Sequence, residues 1–229
     1  MTPNFAFVSD VHSQADKLRH ALDFCKENNL TPIFLGDLFD SKCDVSDSFG
    51  TYTLVRKAQD EMNAIVLQSN HQNKLIRYLH GNDVVQNCGL DVTIRQLFEE
   101  NDLDRVEICN WLESFPYGIA FRSVDGVEYR AAHAYFSSKL LVDSYDDYFL
   151  IKDVNKKFKN QILYGIFSSR NRIEWWKSDR NHGVNWIRVS GHYHTLHIDS
   201  QSLVLDGCCG EEYGNLLVYD VNSLKLHAF

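Results

Sequence analysis

Apolar positions along this chain change their period once. Through the first third, short runs of consecutive apolar residues alternate with stretches in which apolar side chains recur every three or four residues. Residues 5–9 form a run of the fully buried kind, and over 14–28 Leu18, Ala21, Leu22 and Cys25 fall at i, i+3, i+4 and i+7, which predicts a helix. Further strands are predicted at 32–35 and 64–68, and further helices at 52–62, 72–80, 91–100 and 103–114. Strands separated by helices pair in parallel through right-handed crossovers. From Tyr117 onward the pattern turns to strands with short connections. Residues 117–123 and 127–132 flank Asp125-Gly126, a hairpin signal, and strands follow at 186–190, 202–205, 215–219 and 224–229. The expectation is a mixed α/β chain whose second sheet is largely antiparallel. Residues 135–183, aromatic and charged without a clear period, are expected to form a helical or irregular cap. No repeat and no Gly/Ser/Pro-rich linker interrupts the pattern, so residues 1–229 read as a single domain.

Composition narrows the class. With 44% hydrophobic and 24% charged residues the chain is globular and long enough to bury a sizeable core. Its 31 acidic and 23 basic residues leave a formal charge of −8, which argues against broad adhesion to nucleic acid or anionic lipid. A phosphorylated substrate stays open, because bound dications reverse the sign locally. The six cysteines show no C-x-x-C spacing and read as free thiols of a reducing compartment. No apolar stretch has the length of a membrane span and no signal-like segment opens the chain, so a soluble, cytoplasmic protein is expected.

The chemistry lies in five polar motifs, each directly after a predicted strand. They are Asp10-Val11-His12, Gly36-Asp37-Leu38-Phe39-Asp40, Ser69-Asn70-His71, His133, and Gly191-His192-Tyr193-His194. Residues at strand ends converge on one rim of a sheet, and Asp, His and Asn offer the oxygen and nitrogen donors that divalent cations accept. Taken singly, most of these motifs are ordinary: an Asp after a strand is usually a turn or a cap, and a lone His is usually a core residue. Five of them in one order point to a metal site. His20, His80, His182, His197 and His227 fit no ligand spacing and are assigned to surface or core, and Trp175-Trp176 to packing.

On these motifs the chain resembles the calcineurin-like metallophosphoesterases. A finer likeness, to the phosphatase domain of bacterial polynucleotide kinase–phosphatase and to related diadenosine tetraphosphatases and small protein phosphatases, is carried by three stretches. These are residues 70–79 from Asn70-His71-Gln72, then Gly81-Asn82-Asp83-Val84 with Gly89-Leu90, and Val204-Leu205-Asp206-Gly207-Cys208-Cys209-Gly210. The resemblance implies a four-layer αββα sandwich of two mixed sheets and two divalent metal ions. It places one ion on Asp10, His12, Asp37 and His194, and the other on Asp37, Asn70, His133 and His192. Mn²⁺ is the first choice for such a mixed donor set, with Fe, Ni, Zn or Mg as alternatives.

The implied activity is a phosphomonoesterase using a metal-activated hydroxide, with His71 protonating the leaving group and Asp40 orienting His71. A nucleotide, a polynucleotide end or a phosphoprotein is the implied substrate. Two departures bear on it. The arginine-glycine pair that grips phosphate in the phosphatases is replaced here by Ser41-Lys42, leaving Lys42, Lys74, Arg77 and Asp206 as candidate substrate contacts. The usual Gly-Asn-His-Asp/Glu becomes Ser69-Asn70-His71-Gln72, which loses a supporting carboxylate. Separately, the second histidine, His194, is one that the diesterase branches keep. Alternatives are therefore a phosphodiesterase or nuclease, a dinucleoside polyphosphate hydrolase and, last, a metal-bearing scaffold without turnover.

Overall fold

Alternation along the strands builds the layers. In β1 (Phe5–Val8) all four side chains are buried, but Phe5 and Phe7 point one way and Ala6 and Val8 the other. Phe5 and Phe7 join Ile33, Ile119, Phe121, Tyr129, Val189 and Leu203 in a core between two sheets. Ala6 and Val8 join Leu18, Val55, Leu75 and Leu112 in a second core beneath helices. The computed structural model describes residues 4–41, 43, 45–140, 142, 145–165 and 185–229.

After β1, the elements are α1 (Ala15–Glu27), β2 (Thr31–Phe34), α2 (Ser48–Met62), β3 (Ile65–Val66), α3 (Asn70–Leu79), α4 (Leu90–Ile94), α5 (Arg105–Glu113), β4 (Gly118–Arg122) and β5 (Glu128–Ala131). Then come β6 (Tyr148–Ile151), α6 (Lys156–Tyr164), β7 (Trp186–Ser190), β8 (Leu196–Ile198), β9 (Ser202–Leu205), β10 (Leu217–Asp220) and β11 (Lys225–Ala228). One sheet has the order β11-β10-β1-β2-β3 and the other β6-β4-β5-β7-β9-β8. On the far side of the second sheet, Ile162 and Leu163 of α6 pack with Ala132, Phe136, Ile151 and Trp186. This is the αββα sandwich of two mixed sheets that the motifs imply.

Three features differ from the sequence reading. The strands expected at 215–219 and 224–229 belong to the first sheet, where β10 pairs antiparallel with β1 and with β11. The second sheet has three antiparallel pairings, and its centre, β5-β7-β9, is parallel. The helix expected over 91–100 is the short α4 continued by a π-helical turn at Arg95–Glu99. Of the cap expected over 135–183, the described part supplies the edge strand β6 and helix α6; Trp175, Trp176 and His182 lie outside the described residues.

Topology positions the site. β1, β2 and β3 run parallel in one sheet and β5, β7 and β9 in the other, so their carboxyl ends share a rim. Asp10, Asp37, Asn70, His133, His192 and Asp206 all follow these ends.

Candidate metal centre

Three of the candidate ligand loops are held in a conformation that their residues avoid elsewhere. His12, Asp37, Asp40, His192 and His194 all have positive φ, between 41° and 72°. Such conformations cost on the order of 1–3 kcal/mol each outside glycine and persist where the surroundings dictate them. Glycines make the close approaches. Gly36 (φ 120°) passes beside His133, where a Cβ would come within 2.9 Å of Nδ1, and a Cβ on Gly191 would overlap Asp10 Oδ1. At the start of α3, Ser69 is the cap, its hydroxyl accepting from Gln72 N at 3.3 Å. That leaves the Asn70 and His71 side chains, in the first turn, free for the site.

The donors converge. One triad, Asp10, His12 and Asp37, and a second, Asp37, His133 and His192, each place their ligand atoms within 4.8 Å of one another, and Asp37 belongs to both. Asn70 Oδ1 lies 2.7 Å from His133 Nε2. His194 lines the same cavity, although its ring belongs to neither triad. Backbone carbonyls orient the rings. His133 Nδ1 lies 3.0 Å from Leu35 O and His12 Nδ1 lies 2.9 Å from Asp40 O. A carbonyl can only accept, so both rings give their Nδ1–H to the backbone and turn Nε2 to the site, the nitrogen whose lone pair an ion would take.

These Nε2 atoms face acceptors. His133 Nε2 is 3.4 Å from Asp37 Oδ2, and His12 Nε2 is 3.8 Å from the same oxygen. Asp10 Oδ2 accepts from His192 N at 2.8 Å, while Asp10 Oδ1 is buried and finds no hydrogen-bond partner among the described residues. Burial, then the charges of Asp206 and Asp37, push the Asp10 carboxyl well above its ordinary value. Burial acts in the same direction on Asp37, but the imidazoles of His133, His71 and His12 outweigh it and hold that carboxyl well below the usual range. His192 is pushed down to about 3 by burial and by His133 beside it, and so stays a neutral donor. Converging lone pairs and a buried orphan carboxylate oxygen are the arrangement a pair of divalent cations would complete.

The cavity above these groups has a volume of about 320 Å³. Five carboxylates (Asp10, Asp37, Asp40, Asp206 and Glu211) and four histidines (His12, His71, His192 and His194) line it, with no lysine or arginine among the described residues. A phosphate would be repelled from such a surface without added positive charge.

Beside the ligands, His71 Nδ1 lies 2.8 Å from Asp40 Oδ2. Burial disfavours the imidazolium, yet the Asp37 and Asp40 carboxylates outweigh it and raise His71 to about 9. Asp40 is itself held from α4, where the Thr93 hydroxyl donates to its Oδ1 at 2.7 Å. Gly89, at the head of α4, permits this approach, because a Cβ there would overlap the Ser41 backbone. Sequence reasoning passes over Thr93, and also Cys88, Cys208 and Glu211 at the cavity wall.

The candidate substrate contacts separate. Asp206 is at the cavity, but its carboxylate accepts from His194 N at 2.7 Å and Cys208 N at 2.9 Å, so it positions the histidine loop. Lys74 bonds Asn87 O and Oδ1, both at 2.7 Å, and neither it nor the exposed Arg77 lines the cavity. Lys42 lies outside the described residues. Ser41 is buried, its hydroxyl contacting Gln14, Cys43 and Gly210. It is a packed position with no room for the missing arginine. Ser41→Arg is therefore expected to destabilise the fold by about 1–3 kcal/mol, the cost of overpacking, with no gain in inhibition by inorganic phosphate. Urea unfolding and phosphate titration of the variant test both parts.

No protein-family model matches the chain. It is 32% identical over 209 residues to the asymmetrical bis(5'-nucleosyl)-tetraphosphatase PrpE of Bacillus velezensis, covering 82% of this chain and 76% of that protein. With the enzyme of the same name from Oceanobacillus iheyensis the identity is 26% over 223 residues, covering 84% and 82%. In fold it is similar to a solved structure described as a candidate diadenosine tetraphosphatase (TM-score 0.62, 15% identity, covering 100% of this chain and 94% of that one). It is also similar to a cold-active protein-tyrosine phosphatase of a psychrophilic Shewanella (TM-score 0.55, 19% identity, covering 100% and 80%). The chain belongs to the PrpE tetraphosphatase family, within the calcineurin-like metallophosphoesterases, and is a metal-dependent phosphoric ester hydrolase.

Proposed function

We propose that this protein hydrolyses phosphate groups of nucleotides at a two-cation centre. One ion would rest on Asp10, His12, Asp37 and His194, and the other on Asp37, Asn70, His133 and His192. The observation that carries this reading is the pair of donor triads sharing Asp37, in a cavity with no lysine or arginine among its described residues. When bound, the cations supply the charge that draws phosphate oxygens in and acidify the attacking water. Mn²⁺ suits the mixture of carboxylate, amide and imidazole donors. Asp206 holds the backbone of the 191–194 loop, and so sets where His194 points. His71, clamped by Asp40, keeps Nε2 toward the cavity and a proton available for the departing oxygen. The six free thiols suit a reducing cytoplasm, and no described helix is long and apolar enough to cross a membrane.

For the substrate, the names of the two PrpE relatives favour a dinucleoside tetraphosphate. The Asp40–His71 pair favours a second reading, a phosphomonoester, because an alkoxide leaving group needs a proton more than a phosphate one does. Measuring kcat/KM with Mn²⁺ for diadenosine tetraphosphate, a nucleoside monophosphate and a bis-nitrophenyl diester decides between them. We expect the tetraphosphate to lead by at least tenfold. A leading monoester would establish the second reading, and a leading diester would overturn both.

A further inference from the structure

On the face of the molecule where α3 packs against α5, three side chains of metal-binding type meet without any part in the centre described above. His80 stands at the carboxyl end of α3. Cys109 and Glu113 stand one turn apart on α5, and so share a face of that helix. His80 Nε2 is 2.7 Å from Glu113 Oε1 and 3.7 Å from Cys109 Sγ, and the three donor atoms all lie within 4.8 Å of one another. A tetrahedral zinc ion with bonds of about 2.3 Å to sulfur and 2.0 Å to nitrogen spans roughly 3.5 Å between those two ligands. The observed sulfur–nitrogen separation is close to that edge.

The surroundings suit an ion with an open coordination position. Cys109 is 7% exposed, whereas the side chains of His80 and Glu113 are 53% and 45% exposed. The sulfur thus sits at the floor of the site and the imidazole and carboxylate stand at its mouth. Among the described residues the ion-pair partner of Glu113 is His80 itself, at 2.7 Å, with no lysine or arginine on it; an ion bound there would take the place of the proton the two share, which leaves to solvent, and the pair would open to admit it.

We propose that His80, Cys109 and Glu113 form a separate mononuclear site for a thiophilic divalent cation, Zn²⁺ in the first place, with water completing the coordination. As the Sγ–metal bond forms, the thiol proton leaves to solvent. The donor set separates this site from the main centre. A thiolate selects Zn²⁺ over Mn²⁺ and Mg²⁺, whereas carboxylate, amide and imidazole oxygen and nitrogen suit the latter ions as well. The bound ion ties the last turn of α3 to α5. Asn70 and His71 open that same helix, so the site braces the element that carries them.

Cobalt reports on the thiolate. The full-length protein, loaded with Mn²⁺ and kept reduced without a chelating thiol, is titrated with Co²⁺ while the near-ultraviolet sulfur-to-cobalt charge-transfer band is followed. We expect a band saturating at one thiolate per chain and bleached by one equivalent of Zn²⁺. The band should be absent in Cys109→Ser, and in His80→Ala its midpoint should move at least tenfold to higher Co²⁺. His80 is exposed, so that variant keeps its fold and the test does not depend on the buried cysteine alone. Cys88→Ser and Cys208→Ser, at the wall of the main cavity, should leave the band unchanged. Absence of a band in the parent, its persistence in Cys109→Ser, or an unmoved midpoint in His80→Ala would each overturn the proposal.

Discussion

Asp37→Asn is expected to abolish turnover and to lower the occupancy of both ions together. Asp37 is the one residue common to the two donor triads, so among the described residues its two oxygens are the carboxylate pair placed to bridge them. An amide keeps the volume and one oxygen but removes the charge, and its NH₂ would be turned on an ion where an oxygen had been. His133 Nε2 and His12 Nε2, at 3.4 and 3.8 Å from Asp37 Oδ2, would lose the anion that faces them. The loss of activity should exceed the roughly 10–100-fold cost of disturbing an outer partner of a metal ligand. Folding is not the cause to expect. The substitution is close to isosteric, and it removes one of the charges that burden the buried Asp10. The imidazoles of His133, His71 and His12 favour the ionised Asp37, so its loss also costs some stability: the metal-free variant should stay folded but unfold somewhat below the metal-free parent, and the stabilisation by added Mn²⁺ expected of the parent should disappear. His194→Ala is the contrast: it should cost one ion and spare the other. Metal content per chain after dialysis, read beside thermal unfolding, distinguishes these outcomes. Near-full occupancy of both ions in Asp37→Asn would remove Asp37 as the bridge.

Pattern and fold agree where chemistry sits at the end of a buried strand. Asp10, Asp37, His133 and His192 are legible only as a set: each alone reads as a turn, a cap or a core residue, but four such donors after four strand ends point to one rim. Destinations are not legible in the same way. The pattern of 215–219 marks a buried strand but does not say which sheet takes it, and β10 pairs beside β1, far away in sequence. Edge strands are equally hard to see: β8 is three residues long, and Leu196 and Ile198, which share a face, are both exposed. The helpers of the site escape for the same reason. Thr93 reaches Asp40 across 53 residues, and only the fold reveals that Gly89 lets α4 come near enough. Asp206 is legible as a site candidate but not in kind: it lines the cavity while its carboxylate holds backbone N–H groups of the histidine loop. Ser41 is the opposite case, since a small residue in a motif looks like a vacancy and is a packed contact.

His71→Ala and Asp40→Asn are expected to slow substrates with basic leaving groups by roughly 10²–10⁴-fold, the range of general acid catalysis, and a nitrophenyl ester far less. The geometry behind this is the 2.8 Å contact between His71 Nδ1 and Asp40 Oδ2, with Asp40 buried and fixed from behind by Thr93. Part of what keeps His71 protonated comes from Asp37, and that part cancels once cations rest on Asp37. The part from Asp40 remains, because Asp40 engages the imidazole and is in neither donor triad. Replacing Asp40 by asparagine should thus lower the pKa of His71 and leave less imidazolium near neutral pH. An acid contributes only where the leaving oxygen takes up a proton in the transition state. A ribose alkoxide requires one, a phosphate leaving group needs it less, and a nitrophenolate departs unaided. In the parent enzyme, log kcat/KM should depend only weakly on leaving-group pKa, since His71 neutralises the charge that accumulates there. In both variants the slope should become steeply negative. Thr93→Val, which removes the hydroxyl behind Asp40 without touching His71, should give a smaller change of slope in the same direction. Equal losses across all leaving groups would mean that His71 acts on the phosphate or on an ion and donates no proton.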